Sequence, residues 1–591
     1  MARTGSAGYF THFQLHRDGA AEEPVELPDA TRYMCAAAYL DRHFADAVIA
    51  ELAEDEHRAV APAVGYDVEP VLRHCVQARQ LRLYRDIGLL AVLAVGGLLA
   101  PGFVALWLMV GAVVAAVRWL RSVLRRRRER RLVAGRRRVR AVPIILTIVA
   151  LYLVCSCGFA GLAAMLRLQD ALGGGSGGGY LPAPVPGEAA LPVQDSGGYG
   201  GLLLRIGVVL ILALGVLFWY KRTVYRVLTV DLGRGNTEHV APDVPYRGLR
   251  ERVEQVAAAQ YGNIALHSGR NPFIGAGPVQ NSWSMSLDLR PTGKGSHRGE
   301  RIPIDPVALH QHVRQRLREM YGETLRDEEK ITGLVLSDHV VGAGEREHDE
   351  LIEPRHLRPY SVANREAIDA IIRQPQGRLR HYLRAVVGSE GREIMSPDGR
   401  TVASRQDQQI AVSTFLYLAV EGGMLYAEFV ACVMPPLRTE YLVIDRWVPE
   451  TLTVRAFGEA LRAMFTEVVA APYGLTRSLA TIAGYSGRMR RADRASRQYR
   501  YYDYGARISI RELAALAEPD SYLQALDAEK YYKLVERAIT GAILDFLADQ
   551  KVDTTEYETR ANAVLNAGVI ITGGTFAGPV AAGAGAVATQ A

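Results

Sequence analysis

Cysteine is scarce in this chain. There are five in 591 residues, Cys35, Cys75, Cys155, Cys157 and Cys432, with no CxxC pair and no ladder of spacings. A zinc ribbon or a disulfide scaffold is thereby excluded as the organising principle. Cys155 and Cys157 lie in an apolar run and point to different faces of a helix, as small apolar filler does. Lysine is nearly missing too: six of the 69 basic residues are Lys, a codon-level bias that points to a GC-rich bacterial genome.

The common catalytic signatures are also absent. Thr292-Gly293-Lys294-Gly295-Ser296 lacks the leading Gly of a phosphate loop and reads as a turn. Gly484-Tyr485-Ser486-Gly487 carries Arg488 where a nucleophile elbow needs its second Gly. No HExxH occurs, and His310 and His312 diverge on one helix. His339, His348 and His356 stand near carboxylates without ligand spacing, as solvated loop charges do. No cofactor is implied, and the balance leans away from an enzyme.

Charge is missing in two further places. None occurs from Ile87 to Val117, and none follows Arg560. The net charge of +6 misleads, because Arg118–Arg140 alone holds twelve Arg against one Glu, leaving −5 for everything else. With 49% hydrophobic and 22% charged residues, the chain is neither disordered throughout nor a transporter dominated by lipid-facing helices. Its length suits about three or four domains of roughly 150 residues.

What is present is a set of long apolar runs. They cover 87–117, 141–166 and 201–220, the last with one charge at Arg205. Helices in soluble cores rarely stay uncharged for so long. As one helix the first run would reach about 46 Å, against an apolar bilayer thickness of about 30 Å. Pro101-Gly102 interrupts it, and both flanks are basic. The expected arrangement is a hairpin of helices over 87–100 and 103–119; a single kinked span is the alternative. Positive charge stays inside, so the Arg block at 118–140 is cytoplasmic. The span 141–166 then leads to an outside Gly/Pro-rich loop over 167–200, a flexible linker by composition. The span 201–220 returns, and Arg205 can snorkel outward. No cleavable signal peptide is expected, since residues 1–85 are charge-rich.

The soluble parts read as mixed. Residues 1–85 form a small helical region, with helices expected over 31–52 and 71–83. Beyond 221, Trp283–Arg290 alternates like a half-buried strand. Asp305 caps a helix to Tyr321, with Pro306 in its first turn, and Ile331–Val341 is a further strand. Glu421-Gly422-Gly423 joins strands over 410–420 and 424–433, and Tyr441–Arg446 extends them as a meander. Helices follow over 452–470 and 528–547. The expected fold class is membrane-anchored α+β: helical transmembrane segments plus a large cytoplasmic mixed α/β domain with antiparallel strands over 221–560.

Two segments suggest binding. Gly269–Gly277 could form an anion-binding nest of backbone amides, with Arg270, Asn271, Gly275 and Gly277 as candidate residues; a purely structural loop is the alternative. The second combines Arg490, Arg491, Arg494, Arg497 and Arg500 with Tyr501 and Tyr502. Contact with an anionic lipid surface and a core-packed or solvated segment are open there, with nucleic acid disfavoured.

The uncharged tail over 561–591 holds two short apolar clusters, Val569-Ile570-Ile571 and Phe576 to Val580, around Gly573-Gly574. Segments of this type stack on copies of themselves or on open sheet edges. The run from Asn566 to Val580 resembles Gly-rich bacterial amyloid-signalling motifs, though it lacks their Gln and Asn ladders. That resemblance implies self-association. The whole chain resembles uncharacterised multi-pass membrane proteins of high-GC Gram-positive bacteria, which implies no activity. The expectation is a multi-pass inner-membrane scaffold or signalling component acting through protein contacts. Its partners would be the lipid bilayer and an unidentified protein, or a second copy through the tail. The alternative is an enzyme acting on an anionic substrate at the Arg270 loop.

Overall fold

The computed structural model describes residues 8–13, 27–109, 197–236, 239–244, 247–292, 301–322, 325–326, 330–331, 333–390, 394–396, 398, 400–403, 407–447, 451–555 and 557–559. The Arg block, the second apolar run, the Gly/Pro-rich loop as far as 196 and the carboxy-terminal tail, with Val569, Ile570, Ile571, Phe576 and Val580, lie outside them; residues 197–200 of that loop are instead the start of a helix.

In chain order the main elements are β1 (Phe10–Thr11), α1 (Asp29–Leu40), α2 (Arg42–Leu52), α3 (Val68–Leu99) and α4 (Gly197–Arg226). They continue with α5 (Arg247–Ala259), β2 (Ile264–His267), β3 (Val279–Asp288), α6 (Pro306–Glu319), β4 (Leu334–Ala343), β5 (Glu345–Arg346), β6 (Val362–Ala363), α7 (Arg365–Arg373) and β7 (Leu379–Glu390). Last come β8 (Ile394–Met395), β9 (Thr401–Ala403), β10 (Asp407–Glu421), β11 (Met424–Met434), α8 (Leu452–Gln498), β12 (Tyr502–Asp503), α9 (Ile510–Ala514) and α10 (Tyr522–Asp549).

The chain folds as two compact units. The larger takes its described residues from Met1–Ala78, Asp231–Arg446 and Tyr485–Ala591; the smaller from Arg79–Val230 and Trp447–Gly484. The helical region at the start therefore belongs with the sheet, and part of the stretch after 221 belongs with the apolar helices.

The larger unit is built on a six-stranded sheet in the order β2-β4-β7-β10-β11-β3. Only β2 and β4 run parallel. The β10–β11 hairpin is its centre: Glu421 pairs with Met424 across Gly422-Gly423, the first of eleven successive pairs. Tyr441–Arg446 does not extend it. Leu442–Arg446 is a 3-10 helix, because β7 and β3 already occupy the two outer edges of the hairpin. On one face, α6 and α10 bury Leu309, Val313, Leu317, Val535, Ile539 and Ile543 against strand residues such as Leu287, Leu383, Leu416 and Phe429. Asp305 caps α6 by accepting from Val307 N at 3.1 Å. On the other face Phe273 packs among Val341, Tyr382, Phe415 and Cys432.

Glu536 of α10 is buried in the helix-covered face, where Trp283 Nε1 donates to it at 2.6 Å. Burial raises its carboxyl pKa above the ordinary 4.5, outweighing the opposing pull of Trp283 and Lys533. A raised folded-state pKa means that the unfolded chain ionises first, so stability falls as pH rises through 4.5. Glu536→Gln keeps an acceptor for the indole. It is expected to raise the melting temperature at neutral pH and to give no gain below about pH 4; thermal unfolding at the two pH values checks this.

The helix expected over 31–52 is two helices. Asp41 is extended and caps α2, accepting from His43 N and Phe44 N at 2.8 and 3.3 Å. An Asp side chain that satisfies free amides favours a new helix start over continuation. These helices are tied into the larger unit by two arginines, the first of them buried. Arg252 donates to the carbonyls of Leu52, Asp55, Glu56 and Arg58. Arg488 makes a bidentate pair with Glu54 at 2.5 Å.

In the smaller unit, one helix among the described residues, Gly201–Asp231, is long and apolar enough to cross a membrane; its mean hydropathy reaches 2.6 with 17% of that window buried. α3 lies antiparallel to it, since Gly88 meets Val216 and Gly96 meets Val209. At Ala100-Pro101 the chain reverses into a helical stretch over 101–109. Val104 returns to Gly96, and Trp107 joins Leu89 and Val92 in one buried cluster.

Candidate functional site

The loop over 269–277 is a nest of amides, and it is occupied from within. Gly275 N and Gly277 N both donate to Glu512 Oε1, at 2.9 and 3.1 Å. Both glycines have φ of +88°, the left-handed conformation that turns neighbouring amides inward. Glu512 arrives on α9, more than 230 residues away in the chain. The nest chemistry was legible in the Gly pattern; its internal ligand was not. Phe273 anchors the loop on the sheet, 4.6 Å centroid to centroid from Phe415. Arg270 and Asn271 are exposed on its outer rim, so the structure does not bring Arg270 into the nest.

The Arg/Tyr segment is helical as far as Gln498. Arg490, Arg491 and Arg494 are exposed and lie on one helical face. Arg497 pairs with Asp493 at 2.9 Å and Arg500 with Glu347 at 3.2 Å. Tyr501 is half exposed and bonds Glu347. Tyr502 donates to Asp55 at 2.9 Å and lies 4.9 Å from the buried Tyr504 ring. The tyrosines are thus partly core, and only the first three arginines present free charge on one face.

Sequence reasoning missed a polar cluster beneath α6. His381 bonds Asp338 at 2.7 Å, Arg314 pairs with the same carboxylate, and His310 stacks edge-on to His381 at 4.9 Å. Burial, then the neighbouring His381, hold His310 well below its ordinary pKa. Only the register that sets Val340 opposite His381 brings these residues together. The cluster faces the packed helix α6.

Two cavities open in the larger unit, of about 740 and 760 Å³. Several charged groups lining the first pair with one another: His12 and His356 with Glu353 at 3.6 and 3.1 Å, and Arg358 with Glu56. The second is bordered by Arg32, Arg234, His239, Gln409 and Arg511. Its Arg511 donates to the Gln409 carbonyl at 2.6 Å. Among the described residues, no group of His, Cys, Asp and Glu is arranged to hold a metal ion.

The smaller unit has its own charged centre, where α3, α4 and α8 meet. Arg85 bonds Asp86 at 2.8 Å and Glu467 at 2.9 Å. Lys221 lies 3.5 Å from Glu459 and 4.0 Å from Glu467. Tyr225 donates to Glu459, and Arg455 covers the Trp447 ring at 4.6 Å. Helix α8 here runs straight through Pro472, well beyond the end at 470 expected from its apolar spacing.

Residues 282–577, half of the chain, match the family of AbeC-like domains. The chain belongs to that family. No curated protein and no solved structure matches it. The AbeC-like span begins within β3 and takes in most of the sheet, both covering helices and the whole of α8. It therefore includes the part of α8 that packs with the apolar helices. The amino-terminal helices, α4 and β2 lie before it.

Proposed function

We propose that this protein is a membrane-anchored scaffold or signalling component that holds its AbeC-like domain at the cytoplasmic face and acts through protein contacts. One observation carries the reading: α1 and α2 pack in the same unit as the sheet that follows the apolar helix. Two segments folded together lie on one side of a bilayer. If the helix over 201–231 crosses once, the chain between 79 and 200 crosses an odd number of times. A hairpin over 87–119 plus a span over 141–166 makes three crossings; a single kinked span plus the second makes two. The reversal at Ala100-Pro101 supports the first count. The basic flanks at Arg118–Arg140 and after Lys221 favour the cytoplasm for the shared side. The occupied nest supports a binding protein over an enzyme, because an anionic substrate at that loop would have to displace Glu512.

Labelling of intact cells with a membrane-impermeant maleimide tests this, with Cys155 and Cys157 first replaced by Ser. Ser176→Cys is expected to react, while Ser6→Cys and Ser296→Cys react only after permeabilisation. Reaction of Ser6→Cys in intact cells would replace the hairpin with a single span, and reaction of Ser296→Cys would reverse the orientation.

A further inference from the structure

The part of α8 in the smaller unit is amphipathic in an unusual way. It has a buried face, a polar face and a bare apolar face. Ala456, Ala460, Met464, Val468 and Ala471 are buried. Arg455 and Arg462 mark the polar side. Between the two, Val454, Phe457 and Leu461 recur at helical spacing and Leu479 returns to the same face about five turns later; the four are 48 to 77% exposed. Tyr473, 69% exposed, lies about five turns from Arg455 on the polar face.

Its contacts also fix its direction. Phe457 meets Phe218 at 6.2 Å between ring centroids. Glu459 reaches Lys221, Glu467 reaches both Lys221 and Arg85, and Gly474 lies on Asp86. On α4 these partners lie between 218 and 225, and on α3 at 85 and 86. Arg85 lies over Tyr220 at 4.9 Å, so they occupy one level of the antiparallel pair. From 457 to 474, α8 advances about 25 Å along its own axis while staying at that level. It crosses the apolar helices at their charged end.

We infer that Leu452–Gly484 lies in the plane of the membrane, with its bare stripe sunk into the headgroup and acyl boundary of the cytoplasmic leaflet. The occupant is lipid. The stripe from 454 to 479 is about 38 Å long, whereas a spanning helix that crossed it would cover only about 10 Å of it. An apolar face flanked by arginine and tyrosine is the pattern of an interfacial helix. The AbeC-like span would then carry its own membrane contact in addition to the anchor helices.

The inference rests on the anchored reading, and one experiment separates them. The full-length protein, with Cys155 and Cys157 replaced by Ser, is placed in nanodiscs of phosphatidylethanolamine and phosphatidylglycerol. Single spin labels are introduced by Leu461→Cys, Leu479→Cys and Arg462→Cys, with Leu204→Cys and Ile211→Cys on α4 as references. Labels at 461 and 479 are expected to collide more with oxygen than with a water-soluble nickel chelate, and the label at 462 the reverse. With oxygen favoured at 204 and 211, nickel favoured at 461 and 479 overturns the in-plane helix alone. Protection of 461 and 479 from both reagents overturns it too, by placing protein over the stripe. Nickel favoured at 204 and 211 overturns the anchor and this inference together.

Discussion

Arg32→Ala is expected to loosen the amino-terminal helices from the sheet and to lower stability by about 1.5–3 kcal/mol, the usual worth of a hydrogen bond to a charged group. Arg32 is 4% exposed. Its guanidinium reaches Asp29 at 2.8 Å, Asp445 at 2.5 Å and the carbonyl of Leu232 at 3.1 Å. It thereby clamps α1 to the 3-10 helix at 442–446 and to the chain just after α4. Tyr33 donates to the same Asp445 at 2.5 Å. Lysine is not expected to rescue the loss, because one ammonium cannot reproduce the planar fork. Thermal unfolding of the full chain, with proteolysis of 8–78 as the local readout, tests this. Retained protection of that segment would show that α1 and α2 hold without the clamp.

The same contact predicts an acid limb. Burial raises the Asp445 pKa, but the hydrogen bonds from Arg32 and Tyr33 and the charge of Arg32 outweigh it and hold the group below 3.8. A depressed folded-state value contributes stability above 3.8 that is lost as pH falls through the folded pKa. In the Arg32→Ala protein that limb should shrink.

Gly474→Leu is the second large expected effect. A Cβ at Gly474 would press on Asp86 Oδ2 and lie 2.9 Å from its Cγ. Asp86 is fully buried and tied to Arg85, which holds Glu467. The neighbour cannot yield without opening a buried ion network, so α8 must move away from α3. Overpacking costs about 1–3 kcal/mol, and opening the network adds to it. Gly458 is an internal control on the same helix, with open space where its Cβ would be. Gly458→Ala is expected to stabilise by up to about 1 kcal/mol through helix propensity. Melting temperatures that moved in the same direction for both variants would refute close packing at Gly474. If Gly474→Leu does not fold, Gly474→Ala gives the same sign with a smaller step.

Local pattern was legible where one segment fixes its own chemistry. The hairpin expected over 410–433 follows from the double glycine between two apolar runs, and α6 from Asp305 and Pro306. The nest followed from glycines that free their amides for an acceptor. Each of these depends on contacts within a few residues. Misreadings occurred where the deciding contact is distant. Tyr441–Arg446 was read as a strand because its residues suit one, but β3 and β7 had taken both edges. The helix expected over 452–470 runs on through Pro472, where packing of its small-residue face on α3 and α4 keeps α8 intact.

By itself, the sequence determined the apolar segments, their basic flanks and the strand-rich character of the region after 221. These depend on composition and on periods of two or three to four residues, which survive without knowledge of neighbours. The tertiary structure alone decided that Glu512 fills the nest, that Arg32 joins α1 to Asp445, and that the greater part of α8 belongs with the apolar helices. Those contacts join residues hundreds of positions apart. A burial pattern on one helix says that a face is covered, but carries no mark of what covers it.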